Sequence, residues 1–430
     1  MKLDWIRAAP VDSLLKGMPA LESGVRQDQV AGLGLNILAE DLPLPIAVLK
    51  VSALDANRAW MQAFVREMGV EICPHGKTTM CPELFSMQLD DGAFGMTCAT
   101  ASQLEVYRAA GVRRVIMANQ LAGRTNLRMA LRHLLDPTFD LFCLVDSTES
   151  AEALKATAQD LGLDRAVPVL LELGEGLART GLRSPEQAQA LARHICAMNE
   201  LRIAGVATYE GVFAGDDPIE REAPAMRLLE ETARAATLVE ALVPPSAEPF
   251  MLSAGGSDYF DLVVDRFRRL QLGRPVRIVL RSGCYLTHDS GHYARCLERM
   301  LQRSPQMIRM PGSPRAALEV WGAVQSRPEP TRAYCTLGKR DISADWELPI
   351  PLWWRPSGQA GAPLATPQGW RVIKLNDQHL HLEVPADAPL RFGDLIAFGV
   401  SHPCTTFDKW RLIPLVDDAY NVVDVVRTFF

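Results

Sequence analysis

The 430-residue sequence holds no window of about 18 consecutive apolar residues, so nothing in it reads as a membrane span. Its start, MKLDWIRAAPVDSLLKGM, lacks the apolar core of a secretory signal. No Cys-x-x-Cys pair occurs. The nine cysteines (Cys73, Cys81, Cys98, Cys143, Cys196, Cys284, Cys296, Cys335 and Cys404) are scattered and odd in number, which argues against a disulfide framework or a structural zinc finger. A dominant charge is missing too: 45 basic against 51 acidic residues leave −6, which gives no reason to expect nucleic acid or an anionic membrane as partner. What is present is 48% hydrophobic and 22% charged residue, the balance of a soluble globular protein, over a length that implies two or three domains. The reading is a reduced, cytoplasmic, multi-domain protein whose size is that of an enzyme.

Short apolar runs alternate with helical patterns. Strands are expected to begin near Ile46, Val70, Ala93, Arg114, Phe139, Ala166, Leu201, Phe250 and Arg277. Between them lie amphipathic stretches such as Glu149–Leu161 and Pro185–Met198, with N-caps at Ser52 or Asp55, at Ser147 and at Ser184. Such alternation predicts a parallel sheet covered by helices. From Val70 to Gly283 there are eight strands, which predicts an α/β fold built on an eight-stranded, TIM-like β/α barrel, with a doubly wound open sheet as the alternative. The strand near Ile46 is one too many for a closed ring and is assigned to a second domain.

Past Gly283 the texture changes to Pro-, Gly- and Trp-rich turns followed by short β-rich runs at Arg371–Leu375, His379–Val384 and Asp394–Val400. These predict a C-terminal antiparallel β domain. The expected division is an N-terminal segment 1–52 that joins the β domain, a barrel over 53–300, and the β domain over 301–430.

Lysine is scarce, eight residues against thirty-seven arginines, and seven of the eight read as surface or turn. Lys77 differs. It follows the first barrel strand in Pro74-His-Gly-Lys-Thr78, on the face where such barrels carry their chemistry. A lysine crowded by Pro74, His75 and Gly76 can lose its proton more easily, as a Schiff-base lysine must. By itself, such a residue is more often a solvated surface group.

The run Pro74–Thr78 resembles the cofactor-lysine motif of the fold-type III pyridoxal-phosphate enzymes, closest to the D-serine dehydratase and D-threonine aldolase group related to alanine racemase. Glu172-Leu-Gly174 with Arg179-Thr-Gly181, Tyr209-Glu-Gly211, Ser253-Ala-Gly-Gly-Ser257, Arg281-Ser-Gly-Cys-Tyr285 and His402-Pro-Cys404 fit in the same order, over roughly residues 43 to 411. The resemblance implies pyridoxal phosphate held on Lys77, a C-terminal β domain, and a homodimer with sites near its interface.

Two adjacent glycines after a strand let backbone N–H groups approach an anion, so Ser253, Gly255, Gly256 and Ser257 form a candidate phosphate cradle, although a Gly-Gly turn can be only a turn. Gly283 and Cys284 add backbone donors, as the resemblance implies. Arg179 and Tyr209 are placed against the cofactor ring; without the resemblance they read as a helix-start ion pair and a core aromatic. In an extended segment His402 and Cys404 would point to one face and could grip one ion, leaving positions for water and substrate. The resemblance strengthens this, since D-serine dehydratases carry a His-x-Cys zinc pair and the aldolases typically His-x-Asp. Cys404 therefore favours the dehydratase side, with zinc, or another divalent metal, as the ion. His379 and His381 read as strand residues. Arg281 aligns with an arginine that faces the pyridine nitrogen in alanine racemase.

The expected activity is β-elimination from a β-hydroxy D-amino acid (D-serine, D-threonine or 3-hydroxy-D-aspartate) to a 2-oxo acid and ammonia. Aldol cleavage of the D-threonine type, racemisation, and a non-catalytic cofactor carrier are the alternatives. Departures from the family pattern are Thr79 and Ser401, both in places where other residues are frequent, Cys335-Thr-Leu-Gly338, and extra length in Pro349–Gly369 near Trp353, Trp354 and Trp370. Ser343-Ala-Asp345 keeps the family's Ser-x-Asp pattern.

Overall fold

A computed structural model describes residues 1–22, 24–213 and 218–430. All nine expected strands form: β1 (Ile46–Lys50), β2 (Glu71–Ile72), β3 (Met96–Cys98), β4 (Arg114–Gln120), β5 (Asp140–Val145), β6 (Val167–Leu173), β7 (Leu201–Thr208), β8 (Phe250–Ala254) and β9 (Val276–Leu280). β2 to β9 are one parallel sheet in the order β2-β9-β8-β7-β6-β5-β4-β3. Its two ends meet through a parallel bridge between His75 and Thr97 and through hydrogen bonds from Phe94 N to Ile72 O (2.8 Å) and Thr97 N to Pro74 O (2.8 Å). The eight-stranded barrel is thereby closed. β3 begins three residues later than the apolar run at Ala93, because Phe94 is spent on this closure.

Parallel strands covered on both faces must be apolar throughout, and β6 and β8 are buried along their whole length. Cys73, Ile116, Phe142, Leu144, Leu170 and Met251 fill the barrel interior. The helices outside start as the capping rules require at two predicted positions: Ser147 accepts from Ser150 N and Ser184 from Gln187 N. The third cap is absent. β1 runs straight into the helix Val51–Met68 with no turn in which Ser52 or Asp55 could cap. Ser52 Oγ instead donates to Asp418, and Asp55 pairs with Arg58.

The remaining strands are β10 (Leu318–Glu329), β11 (Arg332–Cys335), β12 (Ile350–Arg355), β13 (Leu364–Ala365), β14 (Arg371–Leu375), β15 (Leu380–Glu383), β16 (Leu395–Gly399), β17 (Leu412–Val416) and β18 (Val422–Arg427). β1 lies between β10, antiparallel, and β17, parallel, in a sheet ordered β13-β12-β16-β10-β1-β17-β18. Val11, Met18, Val30 and Ile37 of the N-terminal stretch pack on this sheet around Trp321. Glu319, buried there, accepts from the Trp321 and Trp353 indoles and the Tyr420 hydroxyl, each at 3.0 Å, so the carboxylate is not left unsatisfied.

Two lysines are not the simple surface groups expected. Lys16 lies 3.8 Å over the Trp410 ring and 2.7 Å from Asp341, and Lys50 lies 3.8 Å over the Tyr420 ring. Among the described residues all nine cysteines are free, and no helix is long and apolar enough to cross a membrane.

Candidate active site

The barrel mouth faces the β domain across a cavity of about 190 Å³ lined by Lys77, Arg179, Tyr209, Gly255, Ser257, Gly283, Cys284, His402 and Cys404. Residues from six separate stretches of the sequence expectation thus line one cavity. His75, Thr78, Glu172, Arg281, Tyr293 and Trp346 complete the lining.

Lys77 sits in a single 3-10 turn, Gly76–Thr78, that leaves β2 directly after Pro74 and His75. Gly76 is required by packing: a Cβ there would strike the Tyr107 hydroxyl and the Phe85 ring. Tyr107 cannot withdraw, since its hydroxyl donates to Thr97 O at 3.0 Å on the neighbouring strand. Gly283 is constrained likewise, as a Cβ would meet the His75 carbonyl. The lysine turn and the loop after β9 are therefore pressed together. Lys77 itself is exposed and open to the cavity.

The barrel-side polar groups divide into engaged and free. Arg281, buried, gives Nη1 to Ser253 Oγ (2.6 Å) and Nη2 to Thr208 O (2.8 Å), while its Nε has no partner. Ser253 also donates to Val279 O at 2.9 Å and does not line the cavity. The amides of Gly255 and Gly256 are held by the buried Glu210 carboxylate at 3.2 and 3.0 Å, so the Gly-Gly turn binds an anion belonging to the chain itself. Ser257, Gly283 and Cys284 remain on the cavity wall. Arg179 lies with its guanidinium carbon 4.9 Å from the Tyr209 ring centre and its Nη2 3.4 Å from Asn119 Oδ1. His75 Nδ1 is buried and unpartnered, and burial, then the Lys77 charge, pushes that imidazole well below its ordinary range toward neutrality. Two orphaned buried nitrogens beside an amine, a guanidinium and a phenol fit a polar, anionic ring compound such as pyridoxal phosphate.

In the same lining Cys284, His402 and Cys404 bring their ligand atoms within 4.8 Å of one another. The segment carrying His402 and Cys404 is not extended as the spacing argument assumed: Pro403 is helical and Cys404 opens the short helix Cys404–Phe407. The turn still gathers both groups. His402 Nδ1 contacts Asp345 Oδ2 at 2.6 Å, which leaves Nε2 for an ion, and the imidazole stacks on Trp346 at 4.9 Å and 13°. Burial lowers His402, but the contacts with Asp345 and with the Cys284 sulfur outweigh it and raise the pKa to about 10. The two sulfurs are 3.8 Å apart, and Thr78 Oγ1 is 3.5 Å from Cys404 Sγ. Their shared hydrogen bond, first among the causes, lowers Cys404 and raises Cys284. A neutralisable imidazole with two thiols is a donor set that fits zinc.

Asp258, His292 and Cys296 form a second buried group. Its members are already bonded: His292 Nε2 is 2.8 Å from Asp258 and 3.5 Å from Cys296, and Arg221 approaches Asp258 at 3.7 Å. This reads as an internal hydrogen-bonded chain behind the cavity wall. His379 and His381 line a separate surface depression, and the tryptophans near the extra length lie away from the cavity: Trp353 and Trp354 bond Glu319 and Asp394 within the β domain. Trp346 is the tryptophan of the cavity lining. Sequence reasoning assigned no role to His75, although it stands in the lysine motif, nor to Asp345, although its Ser-x-Asp pattern was visible. Glu172 stood in a matched motif but was given no role, and Tyr293 and Trp346 carried no sequence signal.

Two family models match the chain: the alanine racemase N-terminal domain over residues 49–273, more than half its length, and a putative serine dehydratase domain over 317–416. A D-threonine aldolase of Arthrobacter sp. is 25% identical over 379 residues, 87% of this chain and 89% of the relative. A D-threo-3-hydroxyaspartate dehydratase of Delftia sp. (strain HT23) is 29% identical over 242 residues, 52% of this chain and 63% of the relative. The crystal structure of D-threonine aldolase from Filomicrobium marinum superimposes with a TM-score of 0.74 at 24% identity, covering 92% of this chain and 97% of that one.

Proposed function

From a chain that belongs to the alanine racemase-like family of fold-type III pyridoxal-phosphate enzymes, in its D-serine dehydratase and aldolase branch, and is a lyase, we propose β-elimination from a β-hydroxy D-amino acid such as D-serine, D-threonine or 3-hydroxy-D-aspartate, giving a 2-oxo acid and ammonia. The observation that carries this over aldol cleavage is the sulfur-rich metal group: Cys404 beside His402, lining one cavity with Lys77, whose neighbour Thr78 lies 3.5 Å from the Cys404 sulfur. Expelling hydroxide demands a strong Lewis acid at the β-oxygen, and thiolate with imidazole selects zinc.

In this reading the barrel over 53–300 holds the cofactor, and the β domain over 301–430, joined by 1–52, holds the metal, in a homodimer. Lys77 would carry pyridoxal phosphate, Ser257 with the Gly283 and Cys284 backbone would border its phosphate, and His402 with Cys404 would hold zinc. When bound, the cofactor supplies an electron-accepting ring that acidifies the Cα–H of the substrate, and the metal supplies the Lewis acid.

The chain's own groups do the rest. Lys77 Nζ, open to the cavity, takes the Cα proton once it is free as an amine. Arg179 and Tyr209 hold the ring face, and Arg281, anchored by Ser253 and Thr208 O, presents a cation at the barrel floor. Asp345 fixes His402 Nδ1–H so that Nε2 faces the cavity. Tyr293 and Trp346 wall the metal side and limit water there.

The experiment is product analysis of the cofactor-loaded, zinc-supplied protein on the three substrates. A 2-oxo acid with equimolar ammonia supports the proposal. Glycine with an aldehyde would replace it by aldol cleavage.

A further inference from the structure

The metal wall draws on two distant parts of the chain. His402 and Cys404 come from the β domain, whereas Cys284 comes from the loop after β9 of the barrel. The pair 402/404 alone would leave an ion two open positions. We propose that Cys284 is a third protein ligand, so that the site is Cys₂His with a single open position; this rests on the metal reading above and deepens it.

The sulfur separation carries the argument. Two thiolates bound to one tetrahedral zinc at about 2.3 Å each must stand about 3.8 Å apart. Cys284 Sγ and Cys404 Sγ are 3.8 Å apart. A disulfide would need them at about 2.05 Å, and both thiols are free. The imidazole completes the triangle, all three ligand atoms lying within 4.8 Å, with its far nitrogen already committed to Asp345. Cys284 is buried and its backbone is fixed by Gly283 against His75, so little rotamer or loop entropy remains to be lost on binding.

Two consequences follow. A site with two thiolates prefers zinc strongly over magnesium or manganese, which favour oxygen ligands. It also ties barrel to β domain, so the ion becomes part of the contact between them. With one open position, the substrate β-oxygen must displace the only exchangeable ligand.

The test uses the full-length, cofactor-loaded protein with its metal exchanged for cobalt(II), together with zinc-edge X-ray absorption of the wild type. The proposal predicts two sulfur neighbours at the zinc. It also predicts a thiolate-to-cobalt absorption band that falls by about half in both Cys284→Ser and Cys404→Ser, with zinc affinity weakened more than about tenfold in Cys284→Ser. One sulfur neighbour, with the band unchanged in Cys284→Ser and abolished in Cys404→Ser, would overturn the third ligand while leaving the 402/404 pair intact. Failure of the wild type to bind either metal would overturn both. The absorption measurement needs no variant, so a Cys284→Ser protein that does not fold leaves the proposal falsifiable.

Discussion

Asp345 Oδ2 stands 2.6 Å from His402 Nδ1, and the Ser343 hydroxyl donates to the His402 carbonyl at 2.7 Å, so one short loop sets both the tautomer and the position of the imidazole. Carboxylates in this relation raise ligand basicity and fix ring orientation. Asp345→Asn is therefore expected to weaken zinc binding by roughly 10–100-fold while leaving the cofactor spectrum unchanged. Competition with a chromophoric chelator measures it; equal affinity in variant and wild type would remove Asp345 from the metal site.

The lysine turn gives a packing prediction. Gly76→Ala places a methyl group against the Tyr107 hydroxyl and the Phe85 ring, an overpacking expected to cost roughly 1–3 kcal/mol. Adding Tyr107→Phe removes the hydroxyl and should restore part of that loss, because the Phe85 contact persists. Urea denaturation of the single and double variants supplies both numbers, and strictly additive losses would refute the coupling.

Adjacent residues His288 and Asp289 make opposite contributions to acid stability. Burial lowers His288 to about 4, so the unfolded chain binds the extra proton and stability falls as pH drops from 6.5 to 4. Burial raises Asp289 to about 6, despite amide donors from Gly291, Tyr293 and Ala294, so the folded chain binds the extra proton and stability rises as pH drops from 6 to about 4. The two nearly cancel, each being worth about 3 kcal/mol at 1.4 kcal/mol per pKa unit. His288→Asn, chosen because φ is +48° there, should make the protein gain stability relative to wild type on going from pH 7 to pH 4.5. Asp289→Asn should make it lose. Matching pH slopes in all three proteins would contradict the assignment.

How far the sequence disclosed this molecule depends on which forces acted locally. The eight-strand count and the displaced strand at Ile46 were legible because parallel strands are apolar throughout and the helices between them are amphipathic. The Ser147 and Ser184 caps were legible for a similar reason, as each is a contact between near neighbours. The missing cap at Ser52 was not, since it depends on β1 continuing into its helix without a loop. Lys77, Arg179, Tyr209, His402 and Cys404 were named from motifs and meet in one cavity. Ser253, Gly255 and Gly256 were named for the phosphate, yet Arg281 engages the serine and Glu210 both glycines, through contacts that span 28, 45 and 46 residues of chain. Cys284 was assigned only a backbone role, because nothing local reveals that a sulfur 120 residues further on lies beside it.

The cavity also predicts which arginine matters to the cofactor floor. Arg281→Lys retains one charge but cannot span both Ser253 Oγ and Thr208 O, so it is expected to weaken cofactor retention about tenfold or more and to shift its absorption. Dialysis followed by absorbance reads both, and unchanged retention would place Arg281 in a purely structural role.

The most direct test is to reduce the cofactor-loaded protein with borohydride and map the pyridoxyl group by peptide mass. Only eight lysines compete for it, and the account predicts the label on Lys77, lost in Lys77→Ala. A label on another lysine, or none after loading, would contradict it.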